Sequence, residues 1–251
     1  MKKNIFLEAV KGACGNNTVL MLRDIVSREE CILIKQGTQV YLDLRGLPAK
    51  TYETTLAGIV SDCILFAGID PTKEPIPVEP GIHYFMGGIQ VDKSHRSPVK
   101  GLYAAGECAC QYHGANRLGG NSLLGAIHGG KTAAEAALRS ESHTPDGFEE
   151  KPPVSLEYFR MEPLQSIMRT AMGLERDKAL LENALNAVEK VSVPDEVRLF
   201  SRAILLSALN RTESRGSHFR SDYPDCDPAM RKSSVVRTCN GEIRFSWEEK
   251  T

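Results

Sequence analysis

The 251-residue sequence predicts an α+β fold followed by an all-helical C-terminal domain. Three observations predict it. Residues 39–67 pass from period-two to helical patterning. Residues 101–138 read as a short apolar strand and then a glycine-marked helix. Residues 164–208 carry three amphipathic stripes.

The elements follow in order. Gln39-Val40-Tyr41-Leu42-Asp43-Leu44 alternates apolar and polar side chains, the pattern of a strand. Residues 49–67 place Leu56, Ile59, Val60, Cys63 and Phe66 at helical spacing. Residues 71–80 hold four prolines. Fixed φ and missing donors predict an extended connector and a domain boundary there. Gly101-Leu102-Tyr103-Ala104-Ala105-Gly106 is short, apolar and small, as a strand buried on both faces would be. Asn121 is the predicted N-cap of a helix running to about Leu138. Gly125, Gly129 and Gly130 weaken that helix, which predicts close packing against a sheet.

Residues 140–153 are polar and proline-containing, a second linker. Beyond it lie three stripes: Leu164, Ile167, Met168 and Ala171; Leu180, Leu181, Ala184, Leu185 and Val188; Val197, Phe200, Ile204 and Ala208. Pro163 suits a first helical turn, where its missing N–H costs little. The predicted organisation is therefore 1–77, 78–140, and a helical domain with a tail over 151–251.

Hydrophobic residues make up 41% and charged residues 25%, ordinary for a globular protein, and the formal net charge of −1 points to neither nucleic acid nor an anionic membrane. The sequence has no apolar run of bilayer length, so direct membrane insertion is not expected. The apolar Ile5-Phe6-Leu7 is too short for a secretory signal. Seven scattered cysteines read as reduced thiols of a cytoplasmic protein. Cys108-Ala109-Cys110 lacks zinc-site spacing and reads as small buried hydrophobes rather than a metal site.

Candidate chemistry concentrates in residues 81–124. Gly106-Glu107 ends the predicted buried strand, where α/β sheets hold ligands: glycine admits a ligand to the backbone and the acid accepts from a hydroxyl. Alone, such a Gly-Glu is most often a turn. Gly119-Gly120-Asn121-Ser122-Leu123-Leu124 is a helix start with free N–H groups, an anion site or simply a capped helix. His83 precedes Tyr84-Phe85-Met86-Gly87-Gly88, and Arg117 ends His113-Gly114-Ala115-Asn116-Arg117. An arginine fork binds a carboxylate in bidentate fashion. Arg23-Asp24 would ordinarily be a surface ion pair on a helix.

Taken together, H-Y-F-M-G-G at 83–88, H-G-A-N-R at 113–117, L-R-D-I-V-S-R at 22–28 and T-E-S-R-G-S-H-F-R-S-D-Y-P at 212–224 resemble the C-terminal part of the succinate dehydrogenase/fumarate reductase flavoprotein family, the FAD-dependent oxidoreductase 2 family. The resemblance implies the end of a capping domain, the returning part of a Rossmann-like FAD domain, and the C-terminal helical domain.

It implies FAD as cofactor, bound through Glu107 and through backbone groups of Ser122 and Leu123. It implies a C4 dicarboxylate held by His83 and Arg117, with His113 in support, and Arg23 as the proton carrier between succinate and fumarate. The 210–224 run is expected to be structural and partner-facing.

L-aspartate oxidases share the H-Y-x-x-G-G, H-G-A-N-R and E-S-R-G elements and are the alternative, while Thr72-Lys73-Glu74-Pro75-Ile76-Pro77-Val78 upstream of His83 resembles the respiratory branch. The family's G-x-G-x-x-G fingerprint is not found in the sequence. The chain therefore reads as the second half of a flavoprotein, with Met1 as an internal start. The implied partners are the N-terminal flavoprotein half and an iron–sulfur subunit. The implied location is the cytoplasm or, through partner subunits, the periphery of the cytoplasmic membrane. A truncated, non-catalytic fragment without bound FAD is the non-enzymatic alternative.

Overall fold

A computed structural model describes residues 23–110, 112–140, 161–239 and 241–249. The chain divides into two compact units, Met1–Gly81 and Ile82–Thr251.

In the first unit, helix α1 (Arg23–Lys35) leads to strand β1 (Val40–Leu42). The predicted helix over 49–67 is broken into α2 (Ala49–Glu53), α3 (Ala57–Asp62) and a π turn (Cys63–Ala67). The break falls at Thr54, whose hydroxyl donates back to the Lys50 carbonyl at 2.8 Å and competes with the helical ladder. Gly68 closes the π turn in the left-handed region, φ 67°. The proline-rich stretch is more than a connector. Ile76–Val78 forms strand β2, antiparallel to β1, with Tyr41 opposite Pro77. A two-stranded sheet has only edges, so a proline that cannot donate is tolerated.

The second unit begins with irregular chain stitched by short bridges. Ile89 pairs in parallel with Ala109, and Arg96 pairs antiparallel with Tyr103. The predicted strand over 101–106 is reduced to that single bridge, because a strand needs a continuous hydrogen-bonded neighbour. Ala104 and Gly106 are buried as expected, but Gly101 and Leu102 are exposed. A small core of Val91, Ala104 and Ala109 with Tyr112 lies beneath. Cys108 is exposed, against the expectation of a buried thiol; Ala109 takes the interior position instead. Among the described residues no cluster of His, Cys, Asp and Glu could hold a metal, and no helix is long and apolar enough to cross a membrane.

Helix α4 (Asn121–Leu138) follows. Gly120 rather than Asn121 is its N-cap: Gly120 sits at φ 82°, and Asn121 is already inside the helix. Part of the predicted second linker, residues 141–153, lies outside the described residues. Then come α5 (Glu162–Ala171), α6 (Lys178–Val188) and α7 (Asp195–Asn210). Asp177 caps α6 by accepting the Leu180 N–H at 2.8 Å. Leu164, Ala171, Leu181, Ala184, Val188, Val193, Leu205 and Ala208 form their core. The third stripe is rotated from its prediction: Ser201 and Leu205 turn inward, and Phe200 is 69% exposed. The tail is a hairpin of β3 (Ser233–Cys239) and β4 (Glu242–Glu248).

Candidate functional site

Three short segments of the second unit converge. The Phe85 N–H donates to Glu107 Oε1 at 2.9 Å, tying the segment after His83 to the turn at Gly106–Cys108. The Tyr84 ring meets the His113 ring edge-on with centroids 5.4 Å apart. The Arg117 guanidinium lies over the same Tyr84 ring, 4.7 Å from its centroid. Tyr84 and Phe85 thus place the His83 segment against both the 113–117 turn and the 106–108 turn. His83 itself is exposed. Gly88 makes the approach possible: a Cβ there would stand 2.4 Å from the Cys108 carbonyl oxygen.

His113 Nε2 and Arg117 Nε are buried without a hydrogen-bond partner among the described residues. Burial, and then the Arg117 charge, push the His113 imidazole below its usual range. Burial, and then Glu107, push the Tyr84 hydroxyl up.

The 106–108 turn packs on α4, where a Cβ on Gly106 would lie 3.4 Å from the Ala126 Cβ. No side chain caps the first turn of α4, so its N–H groups present a partial positive charge. A Cβ on Gly120 would meet open space, and Leu123 is 68% exposed. An uncapped 18-residue helix beside an exposed carboxylate at Glu107 fits a ligand that joins anionic groups to sugar hydroxyls, as FAD does. Of the expected site residues, His83, Glu107, Arg117, Ser122 and Leu123 lie in this unit. Arg23 lies in the first unit, as the first residue of α1.

The 213–217 loop is the second wall of the Arg117 turn. Ser217 N–H donates to the Ala115 carbonyl at 3.1 Å. Gly216 (φ 58°) approaches so closely that a Cβ would fall 2.3 Å from that oxygen. The loop is locked by Glu213, which is fully buried. It accepts from Arg211 Nη1 (2.7 Å), Arg215 Nε and Nη2 (2.8 Å each) and Asp227 N–H (2.9 Å). Burial alone would raise its carboxyl, but the bonds from Arg215, Arg211 and Asp227 outweigh it and hold the group at about 2. Arg220, also buried, caps α7 by donating to Ala208, Leu209 and Arg211 carbonyls while pairing with Asp222. Glu213 and Arg220 carry the loop's architecture: these two are buried, the rest of 211–219 is half-buried around them, and 221–224 are exposed.

Sequence comparison places these elements in a known group. Residues 15–123 match a family described as "FAD binding domain", and residues 194–250 match "Fumarate reductase flavoprotein C-term". An L-aspartate oxidase of Rhodospirillum rubrum is 36% identical over 221 residues, covering 83% of this chain and 79% of the relative. The chain belongs to the succinate dehydrogenase/fumarate reductase flavoprotein family. FAD is the cofactor of this family. Other relatives are longer. The L-aspartate oxidase of Pyrococcus horikoshii is 36% identical over 88% of this chain but 48% of its own length, so the chain spans about half of the curated relatives it first matches. Among solved structures, an E. coli quinol fumarate reductase superposes with a TM-score of 0.74 at 25% identity, covering 90% of this chain and 48% of the other. A Mycobacterium smegmatis Sdh1 complex superposes at 0.71 with 28% identity, covering 94% and 48%.

Proposed function

We propose that the chain is part of an L-aspartate oxidase-like flavoenzyme, contributing the carboxylate clamp and one wall of the FAD site. The observation that carries this reading is the similarity to L-aspartate oxidases, 36–38% identical over most of the chain. The geometry supports a C4 dicarboxylate clamp. The Arg117 guanidinium lies on the Tyr84 face and its Nη1 donates to the Leu118 carbonyl at 3.4 Å, which orients the planar fork before a ligand arrives. In this reading Arg117 binds one carboxylate and His83 the other. Glu107 accepts from FAD hydroxyls, and the backbone at Ser122 and Leu123 faces its anionic edge. FAD supplies the two-electron acceptor. Arg23, with residues 1–77 as the end of the capping domain, would bring the group that moves the substrate proton. Residues 78–140 would return to the FAD domain and residues 151–251 would form the helical domain.

A fumarate/succinate enzyme with an iron–sulfur partner is the second reading, favoured by the superposition on fumarate reductase. The test is steady-state turnover by the chain fused to the N-terminal half of a family flavoprotein. L-aspartate oxidation is the expected result. Turnover of succinate and fumarate without L-aspartate would establish the second reading, and a fusion that binds no FAD would make the chain a non-catalytic fragment.

A further inference from the structure

We infer that Tyr112, aligned by the buried His95, is the positioning residue for the Gly106–Glu107 turn. The inference rests on the reading of that turn as part of the FAD site. Four groups form one directed chain of hydrogen bonds. His95 is 3% exposed, and its Nδ1 lies 2.8 Å from the Ala104 carbonyl. A carbonyl only accepts, so Nδ1 carries a proton, and the tautomer with its one proton there leaves Nε2 as an acceptor. Tyr112 Oη lies 3.3 Å from each of the two ring nitrogens, and because the Nδ1 proton is engaged by the Ala104 carbonyl, Nε2 is the one that accepts from the phenol. The phenol oxygen is then free to accept, and the Gly106 N–H donates to it at 3.3 Å. Gly106 is at φ 74° and is followed by Glu107, whose carboxylate holds the Phe85 N–H.

The same pair explains two glycines that weaken α4. A Cβ on Gly129 would fall 1.7 Å from Tyr112 Oη and 2.9 Å from His95 Cε1; one on Gly125 would fall 3.3 Å from Tyr112 Cγ. The helix omits two side chains to admit the phenol. His95 itself takes a left-handed φ of 61°, uncommon for a non-glycine residue, and its two ends are tied by Ala104 N–H to its own carbonyl at 3.1 Å and its own N–H to the Asp92 carbonyl at 2.9 Å. Backbone strain, two helical glycines and a buried imidazole converge on one N–H, that of Gly106. Tyr112 touches no ligand in this assignment; it sets the angle at which Glu107 leaves the turn.

The test is Tyr112→Phe in the full chain, followed by amide hydrogen exchange. The ring still fills the glycine recess, but Gly106 N–H and His95 Nε2 lose their partner. Exchange at Gly106 and Phe85 should quicken by about tenfold, the equivalent of one net hydrogen bond, while amides of α6 and α7 stay unchanged. Gly129→Ala, which expels the phenol, should reproduce the pattern. Unchanged exchange at Gly106 and Phe85 in Tyr112→Phe would overturn the assignment, as would an equal increase throughout the unit. FAD dissociation from the fusion separates this from the functional reading. Faster exchange with unaltered FAD release would leave Tyr112 as the positioning residue and remove the turn from the cofactor site.

Discussion

Replacing Glu213 by alanine tests whether the 213–217 loop is held by one buried carboxylate. The substitution removes the acceptor of four bonds and leaves Arg211 and Arg215, 13% and 26% exposed, facing a void. Breaking a buried ion pair from one side costs about 3–5 kcal/mol. The depression of the carboxyl by these same bonds leads to a similar figure. Held at about 2 against an ordinary 4.5, it contributes about 3 kcal/mol when ionised. Trp247, the sole tryptophan, is the natural probe, because the Arg211 guanidinium lies 4.7 Å from its ring centroid. Urea unfolding followed by Trp247 fluorescence should show Glu213→Ala less stable by about 3 kcal/mol at pH 7. The sign with pH is fixed. A depressed carboxyl stabilises above its unfolded value, and that stability is lost as pH falls from about 4.5 through about 2. The difference between wild type and variant should shrink over the same window. A difference below about 1 kcal/mol at pH 7, or one that does not change with pH, would refute the reasoning.

Three further outcomes are expected. In the fusion, Arg117→Ala should raise KM for the dicarboxylate by about tenfold or more, the loss of a charged hydrogen bond; an unchanged KM and kcat would remove Arg117 from the clamp. Arg23→Lys should bind substrate almost normally yet turn over about 10²-fold or more slowly if Arg23 carries the proton, and full kcat would reduce it to a helix-surface residue. His218 is held at about 4 by burial and then by Arg176, which donates to its Nδ1 at 2.9 Å. Its folded value lies below its unfolded one, so stability is present above about 6.5 and lost as pH falls toward 4; NMR titration of the ring should find the midpoint near 4 rather than near 6.5.

The segments that build the candidate site were more legible in the sequence than the fold around them. Motifs such as His113-Gly114-Ala115-Asn116-Arg117 are local, and local order is what a sequence displays. Pairing is not local. Pro77 argued for a connector, and only the partner strand at 40–42 turns that stretch into β2. The apolar run at 101–106 looked like a strand, but strand formation depends on a neighbour that its own residues do not specify. The inward rotation of α7 toward Leu205 depends on how α6 meets it, which the Phe200 stripe could not reveal. The hairpin of β3 and β4 went unread although its signal was present: Asn240-Gly241 between alternating runs is a strong two-residue turn signature. Tyr112 left a fainter trace. The glycines at 125 and 129 announced that something packs closely on α4, and the recess they make is filled by a phenol rather than by a sheet.

The most direct test of the account is anaerobic mixing of the FAD-loaded fusion with L-aspartate, followed through the visible flavin band. The account predicts that L-aspartate bleaches the band, that Arg117→Ala needs a much higher L-aspartate concentration for the same bleaching, and that succinate bleaches it poorly. Rapid bleaching by succinate with none by L-aspartate, or bleaching that is indifferent to Arg117→Ala, would contradict it.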